Sequence, residues 1–206
     1  DKKLPKGKNI GILSTSGGGS VYLADLCTDA GLNVTTLSTA TLNKLKTMLP
    51  AFVTAGNPVD LTSQAMVEKG MLKNALKILF DDPQIDMIML HFNVMGKESI
   101  PLIVNDIKKV YTNYDKPLMC VSWSHDEDDH LLAQELIRLA GLPGANQEEY
   151  GVKALAALAD YAEKYRIRKD YSTTLKEDEV TDDNPAVQYL KELGKEKLTE
   201  KDVKDL

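Results

Sequence analysis

Short apolar runs alternate with amphipathic stretches of helical length along most of this 206-residue chain, and that rhythm admits few architectures. The runs "NIGILS" (9–14), "LNVTTL" (32–37), "DMIMLHF" (86–92) and "KPLMCVSW" (116–123) read as strands. The third is almost uniformly apolar, which suits a strand covered on both faces. A short fifth strand fits within "GLPGAN" (141–146), and "GNPVDLT" (56–62) reads as a turn-rich loop because Asn-Pro initiates turns. Helices are expected over 20–31, closed by Gly31, and from the N-cap Ser38 to the residue before Pro50. A longer one should run from Gln64 to Phe80, with Met66, Met71, Leu72, Ala75, Leu76 and Leu79 on its apolar side. Three more follow: 99–114 with Pro101 in its first turn, 129–141 ended by Gly141, and 150–165. Strands alternating with helices predict an α/β fold, a flavodoxin-like or Rossmann-like doubly wound parallel sheet in three layers, α/β/α.

The rhythm stops after Arg166. The stretch "IRKDYSTTLKEDEVTDDNP" is polar and charged, so 1–166 reads as one domain and 167–184 as a linker. Residues 185–206 hold two short helical pieces that cannot bury a face alone and read as the entrance to a further domain. The chain opens on Asp1 and stops after "LTEKDVKDL", as a piece of something longer would. A net charge of −6 gives no basic surplus for nucleic acid or an anionic membrane, and no apolar run reaches membrane-spanning length. Cys27 and Cys120 lie in apolar surroundings without paired spacing, which predicts reduced thiols and a cytoplasmic location.

The first strand feeds the first helix through "STSGGGSVYLAD" (14–25). In an open parallel sheet, ligands bind beyond the carboxyl ends of the strands, and unpaired amides at a helix start favour an anion, phosphate above all. Glycines let backbone approach such a ligand closely, and hydroxyls add donors. Thr15, Ser16, Gly17, Gly18, Gly19 and Ser20 are therefore the candidate phosphate-binding residues, with the helix expected to start near Ser20. A dinucleotide fingerprint would need a third glycine at Tyr22 and an acidic residue near Leu37, and no P-loop motif is present. A flavin mononucleotide or nucleotide site on the same fold, with Trp123 covering the ring, is the alternative.

Taken together, "GKNIGILSTSGGGSVYLADLCTDAGLNV", "TLNKLKTMLP", "NPVDLT" and "ILFDDPQIDMIML" resemble the ADP-forming acyl-CoA synthetases, the acetate–CoA ligase relatives of succinyl-CoA synthetase. The likeness covers residues 5–165, and "AVQYLKELGKEKLTEKDVKDL" resembles the lead into the ATP-grasp domain of single-chain members. The resemblance implies a flavodoxin-like ligase domain that works only with CoA-binding and ATP-grasp domains of the same enzyme; a homo-oligomer is compatible with it. It implies conversion of acyl-CoA, ADP and phosphate into free acid, CoA and ATP through an acyl phosphate and a phosphohistidine. The family's histidine motif matches nothing here, so no catalytic residue and no cofactor are expected in this chain. ATP or ADP, Mg2+ and CoA would belong to the parent enzyme. By the same resemblance, the Thr15–Ser20 loop would hold the phosphohistidine phosphate, and the loop of Asn57 and Asp60 would border the active site. The family's Gly-Gly-Pro-Gly appears here as Gly17-Gly18-Gly19-Ser20, and "SWSHDEDDH" replaces the small residues that often follow the fourth core strand.

Other clusters read as structural. His125 and His130 are five apart, so they do not share a helix face as metal ligands would, and the acids between them suit a helix N-terminus. His91 ends a core strand as a partly buried histidine, with contact to a transferred phosphate as the alternative. Asn57 and Asp60 suit a turn. Met66, Met71, Met87, Met89, Met95 and Met119 read as core filling.

Overall fold

The computed structural model describes residues 3–66, 68–174, 188, 191, 192 and 194. The chain divides into two compact units, Asp1–Glu163 and Lys164–Leu206. The first holds six strands: β1 (Asn9–Ser14), β2 (Asn33–Val34), β3 (Val59–Asp60), β4 (Met87–Asn93), β5 (Leu118–Trp123) and β6 (Gly144–Ala145). Their helices are α1 (Gly17–Asp29), α2 (Thr39–Met48), α3 (Met71–Asp81), α4 (Ile100–Tyr111), α5 (Glu127–Leu139) and α6 (Glu148–Thr174). The sheet is parallel throughout, in the order β2-β1-β4-β5-β6, with β3 paired to β1. Setting β3 aside, this is the flavodoxin-like order, whose reversal of winding direction falls between β1 and β4.

Two apolar layers sandwich the sheet. Ile10, Ile12, Met87, Met89 and Val121 pack with Leu23 and Cys27 of α1 and with Val152, Leu155 and Ala159 of α6. On the other face, Leu13, Ile88, Leu90, Phe92 and Cys120 meet α2, α3, α4 and α5. The alternation along β4 explains its continuous apolar run, since neighbouring side chains enter different cores. Burial holds Cys27 and Cys120 protonated, their pKa values raised to about 12. Local signals set several ends. Ser38 accepts from Thr41 N–H at 3.2 Å, Pro101 lies in the first turn of α4, and Gly31 and Gly141 follow α1 and α5 with φ of 76° and 71°.

Several expectations need correction. The helix placed over Gln64–Phe80 is broken: Ser63–Met66 form a short 3-10 turn, and α3 starts only after Gly70, whose φ of 84° no helix admits. The run at 32–37 is a strand only over β2, because pairing with β1 stops at Ile10. The loop at 56–62 contains β3, which takes over the edge of β1 at Leu13 and Ser14. Helix α6 continues to Thr174, through the first residues of the stretch read as linker, while most of 175–206 lies outside the described residues. Met71, Met87 and Met89 are buried and Met119 packs on the core, but Met95 is 71% exposed; the side chain of Met66 lies outside the described residues.

The gap between β2 and β3 is filled by a side chain. Asn57 Oδ1 accepts from Ile12 N–H at 2.9 Å, and its Nδ2 donates to the carbonyls of Ile10 and Thr35, both at 2.8 Å. A carboxamide carries the same donor and acceptor as a peptide unit, so Asn57 continues the ladder where the backbone leaves it. The Asn57–Pro58 peptide is cis.

Candidate functional site

The carboxyl ends of β1 and β4 meet beneath the first turn of α1. The three glycines are not a loop: Ser16 is the N-cap and α1 begins at Gly17. Ser16 Oγ accepts from Gly19 N–H at 3.2 Å, and Ser20 N–H closes the first full turn onto the Ser16 carbonyl at 2.9 Å. Gly17 and Gly18 are exposed and, as the first two helical residues, have no intrahelical acceptor for their N–H groups. Of the amides from Gly18 to Ser20, only that of Gly18 remains free of the helix's own bonds.

None of these glycines has a positive φ, so freedom to turn peptide planes is not what they supply. Two of them supply room. A Cβ on Gly19 would lie 2.8 Å from Cε1 and 2.9 Å from Nδ1 of His91, and one on Gly17 would lie 2.9 Å from Asp60 Oδ2. A Cβ on Gly18 would meet nothing within 4 Å. The hydroxyls work mostly within the fold. Thr15 Oγ1 accepts from Asn93 N–H at 2.9 Å, and Ser20 Oγ donates to the Gly17 carbonyl at 2.7 Å. Ser16 acts as acceptor in its cap, which leaves its own proton for another partner.

His91 lies directly below, 4% exposed. Its Nδ1 is 3.0 Å from Ser14 Oγ and its Nε2 is 3.4 Å from Glu148 Oε1 at the start of α6. Burial lowers the imidazole pKa below its ordinary value, and the Glu148 carboxylate partly offsets this. The two helix starts are joined a second time, by the Tyr22 hydroxyl donating to Glu149. Asp60 makes an Asx turn by accepting from Thr62 N–H at 2.8 Å, and its other oxygen faces Gly17. Asn57 stands within the ladder. Asp60 thus reaches the helix start, while Asn57 serves the sheet beside it. Ser14 and His91 share the first turn's underside, and Glu148 was invisible to local sequence reading because nothing in "NQEEYG" signals a partner on a distant strand.

The acidic run after β5 builds a helix. Asp126 caps α5 by accepting from Asp129 N–H at 3.0 Å, and Asp129 accepts from Gly96 N–H at 3.1 Å. His125 sits edge-on to Trp123 at 4.3 Å, and His130 meets Gln134 at 2.6 Å, so the two histidines serve separate contacts. Among the described residues, no group of three His, Cys, Asp or Glu side chains could hold a metal ion, and no helix is long and apolar enough to cross a membrane.

These features define a class: a flavodoxin-like domain with an open helix start at the switch point of its sheet. Residues 10–110, just under half of the 206-residue chain, match the Ligase-CoA domain family. It is 26% identical over 176 residues to an ADP-forming acetate–CoA ligase I of Archaeoglobus fulgidus, covering 84% of this chain and 24% of that protein. It is 27% identical over 165 residues to the alpha subunit of an ADP-forming acetate–CoA ligase II of Pyrococcus furiosus, covering 77% of this chain and 35% of that subunit. A crystal structure from Pyrococcus horikoshii superposes with a TM-score of 0.71 at 26% identity, covering 79% of this chain and 37% of the other. The fold also matches an acetyl-coenzyme A synthetase of Candidatus Korarchaeum cryptofilum solved with phosphate and ADP, with a TM-score of 0.67 at 20% identity over 85% of this chain and 37% of the other. The chain therefore spans only 24% of the length of the Archaeoglobus ligase and 35% of that of the Pyrococcus alpha subunit.

Proposed function

We propose that this chain supplies one domain of an ADP-forming acyl-CoA ligase, and that the first turn of α1 receives the phosphate of a phosphohistidine carried elsewhere in the enzyme. The observation that carries this reading is the pair of exposed N–H groups of Gly17 and Gly18, without intrahelical acceptors, at the switch point of the sheet. In the overall reaction phosphate displaces CoA from the acyl group, and the acyl phosphate passes its phosphoryl group to an imidazole nitrogen, releasing the acid. ADP then takes the phosphoryl group from the imidazole. The chain's own part is to hold that group between steps. The helix start contributes about 0.3–1 kcal/mol toward an anion, and about 2 where partly buried. Asp60 already places a carboxylate beside Gly17, so the open side at Gly18 is the better berth. CoA, the adenine nucleotide and Mg2+ would be held by the CoA-binding and ATP-grasp domains that the relatives' greater length can accommodate.

Gly18→Val in the assembled ligase tests this, because its side chain enters open space and covers the berth without touching the core. Rapid-quench measurement should show phosphoenzyme formation or discharge slowed about tenfold, the equivalent of ~1.4 kcal/mol of lost stabilisation. Unchanged transfer rates in a folded variant would overturn the proposal.

A further inference from the structure

The sheet ends on β6, whose outer edge is open. Gly144 lies opposite Cys120, and Cys120 N–H donates to the Pro143 carbonyl at 2.9 Å, so the ladder to β5 uses the groups on either side of Gly144. Successive residues of a strand turn their N–H and C=O to opposite sides, so both groups of Gly144 point away from β5. Gly144 is exposed, and a hollow of about 430 Å³ lies between this edge and α5, with Leu131, Arg138, Leu142 and Asn146 in its lining. Beside it, Leu131 is 54% exposed. An open edge of this kind is a template for another strand.

A second copy of the chain fits here, because one two-fold axis satisfies strand and helix together. An axis normal to the sheet through Gly144 sets β6 antiparallel to its copy, with Gly144 facing itself. Each Gly144 N–H then donates to the Gly144 carbonyl of the other copy, as in a hydrogen-bonded pair of an antiparallel ladder. A Cβ on Gly144 would lie 2.7 Å from Ile137 Cγ2, so Ile137 marks the level of that axis on α5. The same rotation lays α5 antiparallel to its copy on one face of the joined sheet. Glu135 and Arg138 stand two residues before Ile137 and one after it, both exposed. The axis therefore brings Glu135 opposite Arg138 of the other copy, twice over. Within each copy Arg138 already holds Glu135, through Nε at 2.9 Å and Nη2 at 2.6 Å, so the two pairs join as four alternating charges. Leu131 comes against Leu142 of the other copy at the mouth of the hollow. From this self-complementarity we infer that two copies of the chain join through β6 and α5 into one continuous sheet. The contact is isologous and closes at a dimer. It is also small: α5 has 13 residues, about 20 Å of helix, beside a standard interface of about 800 Å² per partner.

Sedimentation velocity of the 206-residue chain between roughly 5 and 500 µM should show a monomer–dimer equilibrium, half-associated at about 100 µM as suits so small a contact. In NMR, the Gly144 amide should shift with concentration along the same curve. Arg138→Glu sets like charges across the axis and should weaken association about tenfold. The double variant Glu135→Arg, Arg138→Glu should return it to within about threefold, because exchanging the charges keeps the pair within each copy and the pair between copies. These side chains are 50% and 69% exposed, so neither variant disturbs the core. A chain that stays monomeric up to the highest concentration would overturn the inference. So would association undiminished by Arg138→Glu, or a Gly144 amide indifferent to concentration, since the copies would then meet elsewhere. In an assembled ligase, a Gly144 amide protected from exchange where each particle holds one copy would give this edge to a neighbouring domain, and would overturn it too.

Discussion

Gly19→Ala and Gly18→Ala place the same methyl group at adjacent positions of one helical turn, and the structure predicts opposite outcomes. Both backbones are helical, so each substitution gains about 0.4–1 kcal/mol from a less flexible unfolded chain. At Gly18 nothing lies within 4 Å and that gain stands. At Gly19 the methyl would sit 2.8 Å from His91 Cε1, 2.9 Å from Nδ1 and 3.4 Å from Ser16 Cβ. The ring cannot swing aside cheaply, since it projects from a central strand and touches Ser14 and Glu148 through its two nitrogens. Overpacking of this kind costs about 1–3 kcal/mol, and loss of the Ser14 contact about 0.5–1.5 more. Set against the gain, Gly19→Ala should destabilise by about 1–3 kcal/mol, or roughly 2–10 °C in midpoint for a chain of this size. Urea unfolding gives the free energy, and a double-mutant cycle with His91→Ala identifies the cause: the alanine at 19 should cost little once the ring is gone. Equal stability of the two single variants, or an undiminished cost at 19 in the His91→Ala background, would refute the account of why glycine stands there.

Asn57→Ala should cost about 2–4 kcal/mol in urea unfolding, because it strands Ile12 N–H and the Ile10 and Thr35 carbonyls in the interrupted ladder; a loss below 1 kcal/mol would show that water replaces the side chain. Asp82 is wholly buried, and although burial raises its pKa, hydrogen bonds from Gln84, Thr41 and Ser38 outweigh this and hold it below the ordinary carboxylate value. Its folded pKa is depressed, so its stabilisation is complete above the unfolded value of about 3.9 and is lost as pH falls through the folded one. Asp82→Asn should flatten that acid limb in a series of denaturant midpoints from pH 5 to pH 2.5.

What the sequence discloses here depends on how far away the cause lies. Strand β4 is legible because its burial on both faces writes itself into consecutive residues, and Ser38, Pro101 and Gly31 act within one turn of where they stand. The break before α3 was also within reach, since Gly70 interrupts the apolar pattern with the residue least suited to a helix interior. Strand β3 was not, because a two-residue strand beside an Asn-Pro turn has no period to detect and is fixed by the Asn57 amide completing its neighbour's ladder. The glycine triplet is the sharper case. Three glycines suggest a flexible loop, but one cap from Ser16 and the close of the turn at Ser20 hold them in a helix. Each then answers to a different neighbour: Gly17 to Asp60, Gly19 to His91, and Gly18 to open space. Strand-to-helix order fixes where such a turn stands in the fold. The requirement for glycine at 17 and 19 comes instead from side chains that arrive on later strands, and only Gly18 is left without a packing reason. That makes Gly18 the position at which a functional demand on the backbone can be read apart from a structural one.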